Sequence, residues 1–209
     1  MPTKKVNPKK DKNAETKIKD AARSVFHKKG FAATRTRDIA EEAGINLALL
    51  NYYFRSKEKL FQIIMKETMM QFMHSMVSNF NDTETTLNRK IELIADAYID
   101  LMIAEPEIPL FILSEIRANI NDFFDSMPLG KVLLNSTLVK QYKEAQAQGV
   151  IADLKPIQFI MNLMGLIVFP FVAAPMLKKI GDIEKEDYEK LMLQRKTLIP
   201  IWIESILQP

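Results

Sequence analysis

In residues 34–57, TRTRDIAEEAGINLALLNYYFRSK, the apolar residues Ile39, Ala43, Ile45, Leu50 and Tyr53 recur at spacings that turn them to the inner side of two short helices, with charge falling elsewhere. Ala40 is small enough for the two helices to cross closely, and Gly44 supplies the backbone freedom for a sharp turn between them. Few arrangements satisfy that pattern. The one that does is a helix-turn-helix, whose second helix enters a DNA groove.

The rest of the chain keeps helical periodicity, and no run alternates apolar and polar residues long enough to make a sheet, so the expected fold is all-α. A first helix over about 13–29 places Ile18, Ala22, Val25 and Phe26 inward and stops at Gly30. Thr34 or Thr36 is expected to cap the second helix, Asn46 the third, and Ser56 a long fourth helix that carries Leu60, Phe61, Ile64, Met65 and Phe72. Polar breaks beyond residue 80 separate about five further helices. The expected organisation is a disordered basic arm at 1–12, a three-helix helix-turn-helix DNA-binding domain at 13–60, and a larger helical effector-binding and dimerisation domain at 61–209.

Charge is lopsided. Residues 1–60 hold 15 Lys and Arg against 7 Asp and Glu, which leaves 14 against 19 for the remainder, so a basic amino-terminal part at +8 precedes an acidic body at −5. That is the pattern of one surface meeting polyphosphate, where cation–phosphate contacts supply sequence-independent affinity. The chain has no cysteine, which excludes disulfides, thiolate metal sites and cysteine nucleophiles and fits a reducing, cytoplasmic location. The basic first residues lack the apolar run of a secretory signal.

On the third helix, Leu50 and Phe54 face inward, which turns Leu47, Ala48, Asn51 and Tyr52 outward or sideways. Small and apolar side chains at the start of a reading helix meet thymine methyl groups, and an Asn pairs bidentately with adenine. The expected base contacts are Leu47, Ala48, Leu49 and Asn51, with core completion as the competing role for Leu47 and Leu49. Hydroxyls and cations on either side, Thr34, Thr36, Arg37, Tyr52, Tyr53 and Lys57, are the expected phosphate contacts. Lys57 opens the long helix, where free N–H groups and the helix dipole also favour a phosphate.

The segment GFAATRTRDIAEEAGINLALLNYYFRSKEKLF, residues 30–61, resembles the DNA-binding domain of the TetR family of repressors. The resemblance covers about the first 60 residues. It departs from the family at Asn51, where an aromatic residue is usual, and at Asn46 and Leu47, where Ser or Thr is usual. It implies phosphate or groove contacts at Thr36, Arg37, Tyr52, Tyr53 and Lys57 and base reading at Leu47, Ala48, Leu49 and Asn51. It further implies a helical body that binds a small, often hydrophobic effector.

Twelve Met and twelve Phe are many for this length, and most follow residue 60. Packed core is their ordinary use, while an apolar effector cavity is the functional alternative, with Phe72, Met73, Met76, Phe111, Phe123, Phe124, Met161 and Met164 as its expected lining. One reading helix buries too little surface for specificity, so a homodimer on a palindromic double-stranded operator is expected. Phe169, Phe171, Met192, Leu198 and Trp202 are its expected interface residues, and the resemblance implies that the last two long helices form a four-helix bundle across the dimer. The run 157–177 approaches a bilayer thickness, but Asn162, Pro170 and Pro175 argue against a membrane span. An enzyme is not expected: His27 and His74 are the only histidines, and no phosphate loop, nucleophile elbow or metal-spaced pair occurs. No cofactor is expected. The competing reading is a lipid-associated or protein-interaction module without sequence-specific DNA binding.

Overall fold

The computed structural model describes residues 8–118, 121 and 135–209. Ten α-helices and no strand lie among them: α1 (Pro8–Ala33), α2 (Thr36–Glu42), α3 (Leu47–Phe54), α4 (Lys57–Asn81), α5 (Leu87–Ala104), α6 (Ile108–Ala118), α7 (Thr137–Ala147), α8 (Pro156–Val172), α9 (Ala174–Gly181) and α10 (Lys185–Leu207). The chain divides into two compact units at Met69/Met70. The division therefore falls inside α4 rather than at residue 60, because Leu60, Ile64, Met65 and Met69 are all buried along its first turns.

In the first unit α1 packs on α2 and α2 on α3. Helix α1 starts at Pro8, so residues 8–12, expected in a disordered arm, are helical. Proline at a first helical position is pre-set for the helix, and the Lys-rich residues that follow are good helix formers. At Gly30, φ 72° and ψ 161° break the helix as expected. Phe26, Phe31 and Phe61 then meet ring to ring, with centroids 4.5–5.9 Å apart, and close the core over Ile18, Ile39 and Leu50. Lys19 bonds Glu67 at 2.6 Å, and Arg23 donates to Thr68, tying α1 to α4 within this unit.

In the second unit α5 packs along α10, and α8 touches α5, α6, α7, α9 and α10. Their inward faces form one core, including Ile94, Ile99, Met102, Tyr142, Phe159, Leu163, Ile167, Ile199 and Ile203. Helix α8 contains Pro170, which has no N–H to give the carbonyl four residues back, that of Leu166. Arg195 of α10 fills the place, its Nη2 donating to Leu166 O at 2.8 Å, and the Tyr188 hydroxyl donates to Pro170 O at 2.7 Å. Among the described residues no single helix is long and apolar enough to cross a membrane, and the apolar run breaks into α8 and α9, bent by 71°.

Candidate DNA-reading site

Each end of the reading helix is fixed by local chemistry that the sequence announces. Gly44 takes φ 64°, and the Gly44 and Ile45 N–H groups bond back to Glu41 O and Ala40 O, ending α2 in a left-handed turn. Asn46 Oδ1 then accepts from Leu49 N at 2.8 Å and caps α3. Ser56 Oγ accepts from Lys59 N at 3.1 Å and caps α4. The cap of α2 differs from expectation: Arg35, not Thr34 or Thr36, is the cap residue, and its backbone N–H donates to Asp38 Oδ2 at 2.9 Å.

Leu50 and Phe54 anchor α3 in the core, at 0% and 3% exposure. The opposite side is open: Leu47, Ala48 and Asn51 are exposed, Tyr52 is 72% exposed, and Leu49 is half-buried at the edge. Tyr52 and Tyr53 meet edge to face, with centroids 5.4 Å apart, which restricts the Tyr52 ring to one side of the helix. An apolar leading end, a bidentate amide one turn later and a flanking phenol are thus aligned on one accessible surface.

Two expected phosphate contacts are placed otherwise. Thr34 is 2% exposed, and its hydroxyl donates to Gly30 O at 2.8 Å, so it satisfies an orphan carbonyl where α1 ends instead of facing solvent. Lys57 Nζ donates to Phe31 O and Thr34 O, both at 2.9 Å, and lies 4.3 Å from the Phe31 ring centroid. Its ammonium ties α4 to the last turn of α1 and to Thr34 just beyond it, with two of three N–H donors already in use. Thr36 is partly exposed in the first turn of α2, and Arg37 is exposed. Arg37 and Arg55 form no ion pair among the described residues. Arg55 lies outside the expected set; its sequence signal is a cation directly after the last inward residue, Phe54.

Two acids of α2, Asp38 and Glu42, are engaged by α1. Asp38 is held below the ordinary carboxylate value by the Arg35 N–H and then by Lys29, whose Nζ is 3.2 Å away. Glu42 is lowered by the Ser24 hydroxyl, 3.0 Å away, and by Lys28. The Lys29–Asp38 and Lys28–Glu42 pairs hold these two carboxylates against α1, while Arg37 and Arg55 stay exposed.

In the second unit the expected effector residues scatter. Met73, Met76 and Phe111 are buried, Phe72 is partly buried with its ring edge-on to Tyr98 at 4.6 Å, and Met164 is partly buried. Phe123 and Phe124 lie outside the described residues. Met161 is 59% exposed and lines no interior, because Phe159, Leu163 and Ile167 take the inward face of α8. Of the expected interface residues, Phe169 and Leu198 are exposed, while Phe171 and Trp202 pack against the core with part of their surface open. Met192, expected at the interface, is 5% exposed and buried within its own chain. A cleft of about 390 Å³ between α5 and α10 is lined by residues such as Arg89, Glu92, Asp96, Lys196 and Glu204, and holds none of the expected effector contacts.

Comparison with known proteins agrees with this geometry. The family described as "Bacterial regulatory proteins, tetR family" matches residues 18–64, which span α1 to the start of α4. A probable HTH-type transcriptional regulator of Bacillus subtilis, YttP, is 22% identical over 205 residues, covering 93% of this chain and 94% of the relative. Among solved structures, the fatty acid degradation regulator FadR from Bacillus halodurans superposes with a TM-score of 0.60 at 21% identity, covering 94% of this chain and 96% of that one. FadR from Bacillus subtilis, solved in complex with stearoyl-CoA, gives 0.58 at 20% identity, covering 92% and 99%. The exposed reading surface of α3 lies within the matched helices, and residues 18–64 carry the DNA-binding domain of the tetR family of bacterial regulatory proteins.

Proposed function

We propose that this regulator is a repressor that binds a palindromic operator as a homodimer and leaves it when a small hydrophobic effector binds the second unit. The observation that carries the DNA half is the open face of α3, where Leu47, Ala48 and Asn51 are exposed beside Tyr52 while Leu50 and Phe54 fix the helix from behind. Leu47 and Ala48 meet thymine methyl groups, Leu49 supports them from the edge, and Asn51 pairs with adenine. Thr36, Arg37, Tyr52 and Tyr53 hold the backbone. Lys57 acts chiefly by fixing the frame, with one N–H left to reach a phosphate.

Dimerisation is supported by an exposed apolar row on α8, Ile157, Met161 and Phe169 at four- and eight-residue intervals, together with Leu198 and Ile201 of α10. Two reading helices on one face of the duplex then need a separation of roughly 34 Å. An effector that moves α4, the helix leading out of the DNA-binding unit, changes that separation.

The effector reading is supported by similarity to the FadR proteins, one of which was solved with stearoyl-CoA. A long acyl chain or its CoA thioester is the first ligand class to test. A repressor of this kind works in the cytoplasm, where both operator and acyl-CoA are found. The experiment is selection of bound duplexes from a random pool, followed by release against a panel of acyl-CoAs, free fatty acids and unrelated hydrophobic compounds. A palindromic consensus released by one class supports the reading. Binding to anionic vesicles with no preference among duplexes overturns it in favour of a lipid-associated module.

A further inference from the structure

Arg55 is held in a backbone conformation that L-residues avoid. Its φ is 58° and its ψ −40°, and the Ser56 N–H bonds back to Phe54 O at 2.6 Å, so Arg55 is the central residue of a positive-φ γ-turn between α3 and α4. Such turns are rare and strained, and glycine relieves them at no steric cost. Among the described residues Gly30, Gly44 and Gly149 occupy three of the four other positive-φ positions, and Asp182, in the ordinary left-handed helical region, the fourth. At the junction next to the reading helix the residue is instead an arginine.

The same turn fixes where that arginine stands. The Arg55 N–H still bonds Asn51 O at 3.0 Å, so its Cα remains one helical turn beyond Asn51. Leu47, Asn51 and Arg55 thus form a row at four-residue intervals, all three exposed. The Arg55 guanidinium has no hydrogen bond or ion pair among the described residues. Strain kept at a solvent-facing, unpaired cation on the edge of a reading surface is the signature of a contact made only when the partner is present.

We infer that Arg55 is a backbone clamp of the DNA complex: its guanidinium grips a phosphate bordering the bases that α3 reads, and the γ-turn is retained to aim it. The inference rests on the DNA-reading function of α3. A planar, always-charged fork suits a phosphate oxygen pair better than any other side chain, and its position past the carboxyl end of α3 is where the groove wall, not the base edges, is met.

The test separates strain from contact. Wild type, Arg55→Gly, Arg55→Gln and Arg55→Lys are titrated against the selected operator and against random-sequence duplex of equal length over a range of salt, with Tm measured in parallel. The expected result for Arg55→Gly is a Tm rise of about 2–4 °C with strain relieved. Affinity falls about tenfold on both duplexes, and the salt slope drops by about one unit per subunit. Arg55→Gln loses affinity and slope without the rise in Tm, and Arg55→Lys keeps the slope. Unchanged affinity and slope in Arg55→Gly, a loss confined to the operator, or a lower Tm would overturn the clamp while leaving the reading of α3 intact. Wild type with no affinity for either duplex would overturn both.

Discussion

Arg195 of α10 donates its Nη2 to the carbonyl of Leu166 in α8 at 2.8 Å, and that carbonyl is the one Pro170 leaves without its helical donor. The guanidinium also lies 4.9 Å from the Trp202 ring centroid, and its Nε is buried without a partner. Burial pushes its pKa below the ordinary arginine value, with the nearby Tyr188 acting in the opposite sense. A half-buried arginine without a carboxylate partner among the described residues is costly on its own, and the orphaned carbonyl of a proline-bearing helix is a reason to keep it.

Arg195→Met is therefore expected to destabilise the chain by about 1–3 kcal/mol, and Pro170→Ala, which restores the missing N–H, to make that substitution cheaper by about 1 kcal/mol. A double-mutant cycle by thermal or denaturant unfolding reads the coupling, with Trp202 as the fluorescent probe. Purely additive losses would show that the two residues are independent.

Lys57→Ala is expected to cost about 1.5–3 kcal/mol, because charge-assisted bonds to Phe31 O and Thr34 O are lost at once. Hydrogen exchange at residues 31–36 should rise with the loss. A Lys57→Ala protein with wild-type Tm and protection but weaker DNA binding would return Lys57 to a purely phosphate-contacting role.

What the sequence made legible was local. Asn46, Ser56 and Gly44 act within three or four residues of themselves, so spacing alone identifies the reading helix and its turn. The roles of Thr34 and Lys57 depend on where α1 ends and on a contact across 26 residues, which no spacing rule contains. Met192 and Met161 show the same boundary in the second unit. Both sit on periodic helices, but which face turns inward is decided by packing against α5 and its neighbours, so one was buried and the other exposed against expectation. Pro170 is visible in the sequence, while its remedy, Arg195, is 29 residues away from the carbonyl it serves.

Acid should weaken the first unit early. Asp38, Glu42 and Glu58 all have pKa values depressed below 3.8, 4.5 and 4.5 by bonds made only in the folded chain. A depressed carboxylate stabilises above its unfolded pKa and loses that contribution as pH falls through the folded value. Stability is thus expected to be flat above about pH 5 and to decline below the unfolded values, with Asp38→Asn plus Glu42→Gln flattening the decline. A melt series that falls as steeply in the double variant would contradict the assignment.

Phe169→Asp places an unpaired charge on the exposed row of α8. Self-association is expected to weaken by about 2 kcal/mol or more, roughly thirtyfold, with the monomer still folded. Sedimentation reads the oligomeric state, and an unchanged dimer would move the interface elsewhere.

The central claim is that α3 reads bases through Asn51 while presented twice by a symmetric pair. Selection from a random duplex pool, run in parallel on wild type and Asn51→Ala, tests it most directly. The account predicts a palindromic consensus for wild type, and loss of about 1–3 kcal/mol of discrimination at one symmetric pair of adenine positions for the variant. A wild-type pool with no consensus, or an Asn51→Ala consensus identical at every position, would contradict it.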